Sequence, residues 1–374
     1  MKKKKWFHII LFSFLAFSMI SNAQKSSLKQ IFQDDFMIGV ALNKSQIKQS
    51  NIKESDLIIT EFSSITPENI MKWEEIHPKP NKYKFKLADK LIDLAKNNNQ
   101  SIIGHALVWH NQIPDWVTRN KNGNLNSKEI LFKNIEDHIN NVGGRYKGKV
   151  YGWDVVNEAF NDDGTFRDSD FFKISGEEYI YKSFEIASKN DPKVELYYND
   201  YSLYKKKKIN AVIELAKRIK SRGLRIDGIG LQAHWGLDYP TIEEVEKSIL
   251  KISNAGLKVH FSELDIDVLP NLWEIKGADL SDNFNSNKEL NPYKKNLPDS
   301  ISNLLSKRYE EIFKLFYKHR DKIERVTFWG LSDKYSWKND WPAKGRTNYP
   351  LLFDRNLSPK KAYRSVVNWR KNIN

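Results

Sequence analysis

From residue 36 onward this chain alternates short apolar runs with amphipathic stretches of helical period, about once every 35 to 50 residues, the pattern of βα units around a parallel sheet. The runs that read as strands are Met37–Leu42, Leu57–Phe62 continuing towards Ile65, Ser101–Trp109, Lys149–Phe160, Val194–Tyr198, Gly228–Ala233, Leu257–Leu264 and Arg325–Leu331. Helical faces between them include Leu87/Leu91/Leu94/Ala95, Leu131/Ile135/Ile139/Val142 closed by Gly143-Gly144, and Ile209/Val212/Ala216/Ile219. Ser175–Glu178 and Thr241–Glu244 have capping-box spacing, and Ser358-Pro359 reads as the start of the last helix. Eight strand–helix units in one run, with no linker and no second core, predict a single (β/α)8 barrel. One excursion, Pro270 to Ser300, is rich in Asn, Asp and Pro. It is expected on the catalytic face after the seventh strand, shaping the cleft.

The amino terminus does not belong to this pattern. Lys2–Lys5, the apolar stretch Trp6–Ile20 and the small residues around Ala23 read as a signal peptide over residues 1–23. The mature barrel domain would then span 24–374, exported to the periplasm or the medium. The apolar stretch is short for a membrane anchor, and with no cysteine there is neither a disulfide framework nor a lipidation site. The four lysines leave with the leader, so a formal charge of +14 becomes +10. The longest remaining basic run, Lys205–Lys208, opens a helix and reads as a solvated face, so no nucleic-acid partner is expected. A monomer is the expectation.

In such a barrel the carboxyl ends of the strands carry the chemistry. Those ends hold Glu68, Asn69 and Lys72; His105, Trp109, His110 and Gln112; Asn157 and Glu158; Asn199 and Asp200; Gln232 and His234; Glu263 and Asp265; and Trp329 and Trp337. Taken singly, each has a plainer role: Thr66-Pro67-Glu68 as a helix start, a tryptophan as core, Glu263 as a structural ion-pair partner. His105 and His110 lack the spacing of a metal site, and no metal or cofactor is expected. Together the set is that of a glycosidase: two carboxyls, Glu158 and Glu263, on strands four and seven, with amides, imidazoles and indoles for sugar hydroxyls and faces. Glu158, after a run of apolar residues, is expected to be desolvated and to hold its proton near neutral pH.

Six ordered segments resemble glycoside hydrolase family 10, the retaining endo-β-1,4-xylanases: TPENIMKWE (66–74), GHALVWHNQIP (104–114), WDVVNEAF (153–160), GIGLQAHW (228–235), FSELDID (261–267) and FWGLSDKYSW (328–337). The resemblance covers nearly all of residues 31 to 370. It implies Glu158 as general acid/base and Glu263 as nucleophile. It further implies that Asn157 bonds the sugar 2-hydroxyl and the nucleophile, and that His234 and Asp265 orient the nucleophile. Glu68, Asn69, Lys72, His105, Trp109, Gln112, Gln232, Trp329 and Trp337 match glycone-binding residues. The implied partner is xylan or its oligosaccharides. Ala106, Ala233 and Trp235 depart from the usual pattern, and the 270–300 insertion and the loop Lys338–Tyr349 are longer than in compact members. Two rivals stay open: the same barrel acting on another β-glucan, and a non-catalytic xylan-binding protein.

Overall fold

In the computed structural model, which describes residues 27–270, 284–285 and 289–373, eight parallel strands close on themselves. They are β1 (Met37–Leu42), β2 (Ser64–Pro67), β3 (Ser101–Trp109), β4 (Gly152–Asn157), β5 (Glu195–Asp200), β6 (Gly228–Leu231), β7 (Lys258–Asp267) and β8 (Ile323–Phe328). Each pairs with the next, and β8 returns to β1 through Met37↔Arg325 to Val40↔Phe328. Strands buried on both faces read as continuous apolar runs, which is why they stood out. The predicted signal peptide lies outside the described residues.

Eight helices form the outer layer: α1 (Ile52–Glu61), α2 (Lys86–Asn97), α3 (Lys128–Arg145), α4 (Glu178–Asn190), α5 (Lys206–Ser221), α6 (Ile242–Asn254), α7 (Asp299–Lys318) and α8 (Lys361–Lys371). Each turns an apolar stripe to the barrel; α6 buries Val245, Ile249 and Ile252 and carries the expected Thr241/Glu244 capping box. Inside the barrel two glycines make room for aromatics of the next strand. A Cβ on Gly104 would stand 2.1 Å from the Trp153 indole, and one on Gly152 would stand 2.3 Å from the Tyr197 ring. Any side chain there would push the adjacent strands apart.

Several boundaries differ from the sequence reading. Leu57–Glu61 is not strand but the end of α1, which Asn51 caps by accepting from the Lys53 amide. The helical face is Glu54, Ile58 and Glu61, so its buried stripe is mostly acidic and does not look apolar. Glu61 accepts from the Leu28 amide and the Tyr363 hydroxyl. Ser175 does not cap α4; it closes a short helix, Asp170–Ser175, and α4 starts at Glu178 without a side-chain cap. α3 runs through Gly143-Gly144 to Arg145, the glycines passing beside Asn190. α8 begins at Lys361, beyond Ser358-Pro359, where Asp354 holds a turn by accepting from Ser358. β6 and β8 end earlier than expected and β7 runs on to Asp267.

The described part of the 270–300 insertion braces the loop after β8. Residues 284–285 pair in parallel with Ala343–Lys344, Asn291 accepts from the Thr347 amide (2.9 Å), and the Tyr349 hydroxyl donates to the Tyr293 carbonyl (2.9 Å). None of its described residues lines the cleft itself. Its reach is indirect, because the braced loop carries Trp341, whose ring stacks on Trp337 at 4.9 Å.

Candidate active site

A cleft of about 580 Å³ opens at the carboxyl ends of the strands. Thirteen of the residues singled out from the sequence line it: Glu68, Asn69 and Lys72 past β2, His105, Trp109 and Gln112 on and after β3, Asn157 and Glu158 at β4, Gln232 and His234 past β6, Glu263 on β7, and Trp329 and Trp337 after β8. Asp265 is fully buried behind them. Thr66 and Pro67 end β2 rather than start a helix, which swings Glu68 and Asn69 into the cleft.

Glu263 is held by one donor on each oxygen. The Asn199 side-chain amide donates to Oε1 (2.8 Å), and the His234 Nε2 lies 3.3 Å from Oε2. Ser262 donates to the Asn199 carbonyl oxygen (2.6 Å), which fixes which end of that amide meets Glu263. Asp265 faces the other ring nitrogen of His234 at 3.0 Å and itself accepts from Trp337 Nε1 (2.8 Å). Burial works against charge on His234, but the Asp265 and Glu263 carboxylates outweigh it and raise its pKa to about 9. Asp265 is buried too, yet the His234 and Lys338 charges hold it below its usual value. At neutral pH His234 is therefore an imidazolium donating to both carboxylates.

Glu158 stands at a strained place, φ 57°, in the left-handed region that glycine favours. Its amide donates to the Asn199 carbonyl (2.9 Å), tying β4 to β5. Trp109 donates to Oε2 and Gln232 to Oε1, both at 2.8 Å. Gln232 and Asn199 also reach the Asn157 side chain (3.2 and 3.0 Å), so three amides link the two glutamates. Burial raises the Glu158 carboxyl, but the His110 charge and the Gln232 and Trp109 hydrogen bonds outweigh it and hold the group below its usual value. The expectation of a raised pKa is thus not met in the free cleft. Those donors come from strands three and six, which a reading of strand four alone does not see.

Farther along, Lys72 donates to Asn69 (3.0 Å) and Gln112 (2.8 Å) with its ammonium 4.7 Å above the Trp109 ring. Burial lowers the Lys72 ammonium against the pull of Glu263, Glu68 and Glu158, and burial raises Glu68. His105 packs edge-on to Trp329 (5.2 Å) and meets Asp154 at 2.9 Å. The opposite half of the cleft carries Asp162, Tyr201, Ser202, Tyr204 and Tyr239, which the sequence did not mark, together with Lys205, read there as a solvated face, and Glu244, read there as a helix cap. Nor was Asn199 given a task, although its position at a strand end was noted. Tyr201 and Tyr204, just past β5, were the available sequence signal.

The arrangement offers one carboxylate locked between an amide and an imidazolium, a second carboxyl facing the same cavity, and indoles at the rim. That is equipment for attack at a sugar carbon and proton transfer to a glycosidic oxygen. The sequence model of glycosyl hydrolase family 10 matches residues 27–369. Over 341 residues the chain is 43% identical to endo-1,4-beta-xylanase A of Xylanibacter ruminicola, covering 91% of this chain and 92% of that one. It is 39% identical to a beta-1,4-xylanase of Dictyoglomus thermophilum, covering 91% and 90%. Among solved structures it resembles a GH10 endoxylanase from a sugarcane soil metagenome, with a TM-score of 0.87, 43% identity, and 92% of this chain and all of that one covered.

Proposed function

The chain belongs to glycosyl hydrolase family 10, and from that membership we propose that it is a retaining endo-1,4-β-xylanase. The observation that carries the mechanism is the unequal housing of the two glutamates. Glu263, with one donor on each oxygen and an imidazolium beside it, is held in place and aimed into the cleft, as a nucleophile must be. Glu158 faces the same cavity and accepts from two neutral donors, the Trp109 indole and the Gln232 amide. Sugar entering the cleft displaces water from Glu158, and that added desolvation raises its pKa towards the protonated form. Glu158 then gives its proton to the leaving glycosidic oxygen while Glu263 attacks the anomeric carbon. Esterification removes the Glu263 charge, and Glu158, now ionised, takes a proton from the water that releases the sugar.

Recognition of xylose rests on Glu68, Asn69, Lys72 and Gln112, a mutually bonded polar set, with Trp329 and Trp337 as apolar faces. The test is product analysis after incubation with xylan, arabinoxylan, glucuronoxylan, cellulose and mixed-linkage glucan. Short xylo-oligosaccharides from the xylans alone support the reading. Release of xylose alone, one unit at a time, refutes endo action. Cleavage of the glucans in preference moves the enzyme to another β-glucan, and no cleavage at all makes it a binding protein. We further propose export through residues 1–23; amino-terminal sequencing of the secreted protein should begin at Gln24.

A further inference from the structure

The opposite end of the barrel holds a second cluster of chemistry-bearing side chains. Glu195 opens β5, His260 is the third residue of β7 and Glu324 the second of β8, so the starts of three strands bring them together across β6. One ligand atom from each lies within 4.8 Å of the others. His260 is completely buried, and neither ring nitrogen makes a hydrogen bond among the described residues. Glu324 Oε2 is likewise buried without a hydrogen bond and stands 3.7 Å from His260 Nε2. Buried imidazoles in folded proteins are nearly always partnered, and one with both nitrogens bare asks for a ligand. Gly228 keeps the flank of Nε2 open, since a Cβ there would stand 2.6 Å from it.

We propose that Glu195, His260 and Glu324 form a binding site for a divalent transition ion of the zinc class. One imidazole and two carboxylates match such an ion rather than calcium or magnesium, which prefer oxygen alone. Ligands at about 2.0–2.1 Å around a tetrahedral ion lie roughly 3.4 Å apart. The 3.7 Å pair already meets this, and the widest separation needs only side-chain adjustment. Both Glu195 oxygens and Glu324 Oε1 already have partners, so an ion would take the place of one of these contacts on Glu195. Lys258 bridges Glu195 Oε1 and Glu324 Oε1, and Tyr151 donates to Glu324 Oε1. Tyr197 donates to Glu195 Oε2 (3.0 Å). The Lys258 side chain is 44% exposed, so its ammonium can yield to an incoming cation, while Arg325 stays over the Tyr197 ring. Beside Glu324 and Lys258 lies an open depression also lined by Asp34, Asp35, Asp321 and Lys322. An ion here would pin three strand starts together, far from the cleft.

The test uses the full chain stripped with EDTA. Titration with Co²⁺, followed by its visible absorption, should saturate at one equivalent, and Zn²⁺ should displace it and raise Tm. Glu324→Gln, an isostere at a side chain 18% exposed, should weaken Co²⁺ binding at least tenfold and abolish the Tm response while leaving xylan hydrolysis unchanged. His260→Phe should abolish both signals where it folds. No cobalt band in the unaltered protein, or a band of equal affinity in Glu324→Gln, overturns the site.

Discussion

The His234 imidazolium couples stability to pH in a window where few other groups act. Its pKa is 6.5 in an unfolded chain and about 9 in the folded protein, with the side chain only 10% exposed. Below pH 6.5 both states carry the proton, and the benefit of Asp265 and Glu263 is fully present. Between 6.5 and about 9 only the folded state binds it, so stability falls by about 1.4 kcal/mol per pH unit. The total loss is roughly 3 kcal/mol, from the difference between the two pKa values. His77, pushed down to about 4, and His138 and His260, also lowered by burial, act only below 6.5, and with the opposite sign. Asp200, raised to about 6, also titrates below this window. Lys72 and Lys360 are also lowered by burial, and a difference measurement cancels them. The assay is urea unfolding, by tryptophan fluorescence, of the wild type and His234→Asn at several pH values from about 6 to 9. The stability gap between them should shrink by roughly 3 kcal/mol across that range. A gap that stays constant refutes the claim that the two carboxylates hold an imidazolium.

Asn199→Ala removes the amide donor from Glu263 and should lower kcat/KM by about 10- to 100-fold, the worth of one hydrogen bond to a buried charge, with KM little changed. Wild-type levels of kcat/KM would show that Asn199 does not position the nucleophile. Because Glu158 is held low in the free cleft, the alkaline limb of kcat/KM should lie at lower pH than that of kcat, which reports the occupied cleft. Coincident limbs would mean that substrate does not raise its pKa. Trp341→Ala unstacks Trp337 and should raise KM for long xylo-oligosaccharides by roughly 2- to 10-fold, with less effect on short ones. An equal effect on all lengths would make the stack purely structural.

The barrel and the floor of its cleft were legible because buried parallel strands are apolar until their last residue, and the chemistry stands where the apolar run stops. Glu158 and Gln232 follow that rule, whereas Glu263 stands inside β7, which runs on to Asp267. The second strand was misplaced because the buried face of α1 carries Glu54 and Glu61, whose burial depends on distant partners such as Leu28 and Tyr363. Much of the far half of the cleft lies on the segments after β4 and β5, where neither period nor burial marks Asp162 or Lys205, and Glu244 was legible only as the cap of α6. The state of Glu158 was misjudged for the same reason: desolvation can be read from its own strand, but Trp109 and Gln232 arrive from others.

The division of labour between the glutamates is tested most directly by the anomeric configuration of azide adducts. Glu158→Ala, with an aryl xylobioside whose leaving group needs little protonation, should still form the glycosyl-enzyme and then stall. Azide needs no general base, so it should restore turnover and give the β-glycosyl azide. Glu263→Ala should lose both steps, and any azide rescue should come from the opposite face and give the α-azide. The β-azide from Glu263→Ala, or the α-azide from Glu158→Ala, would contradict the assignment.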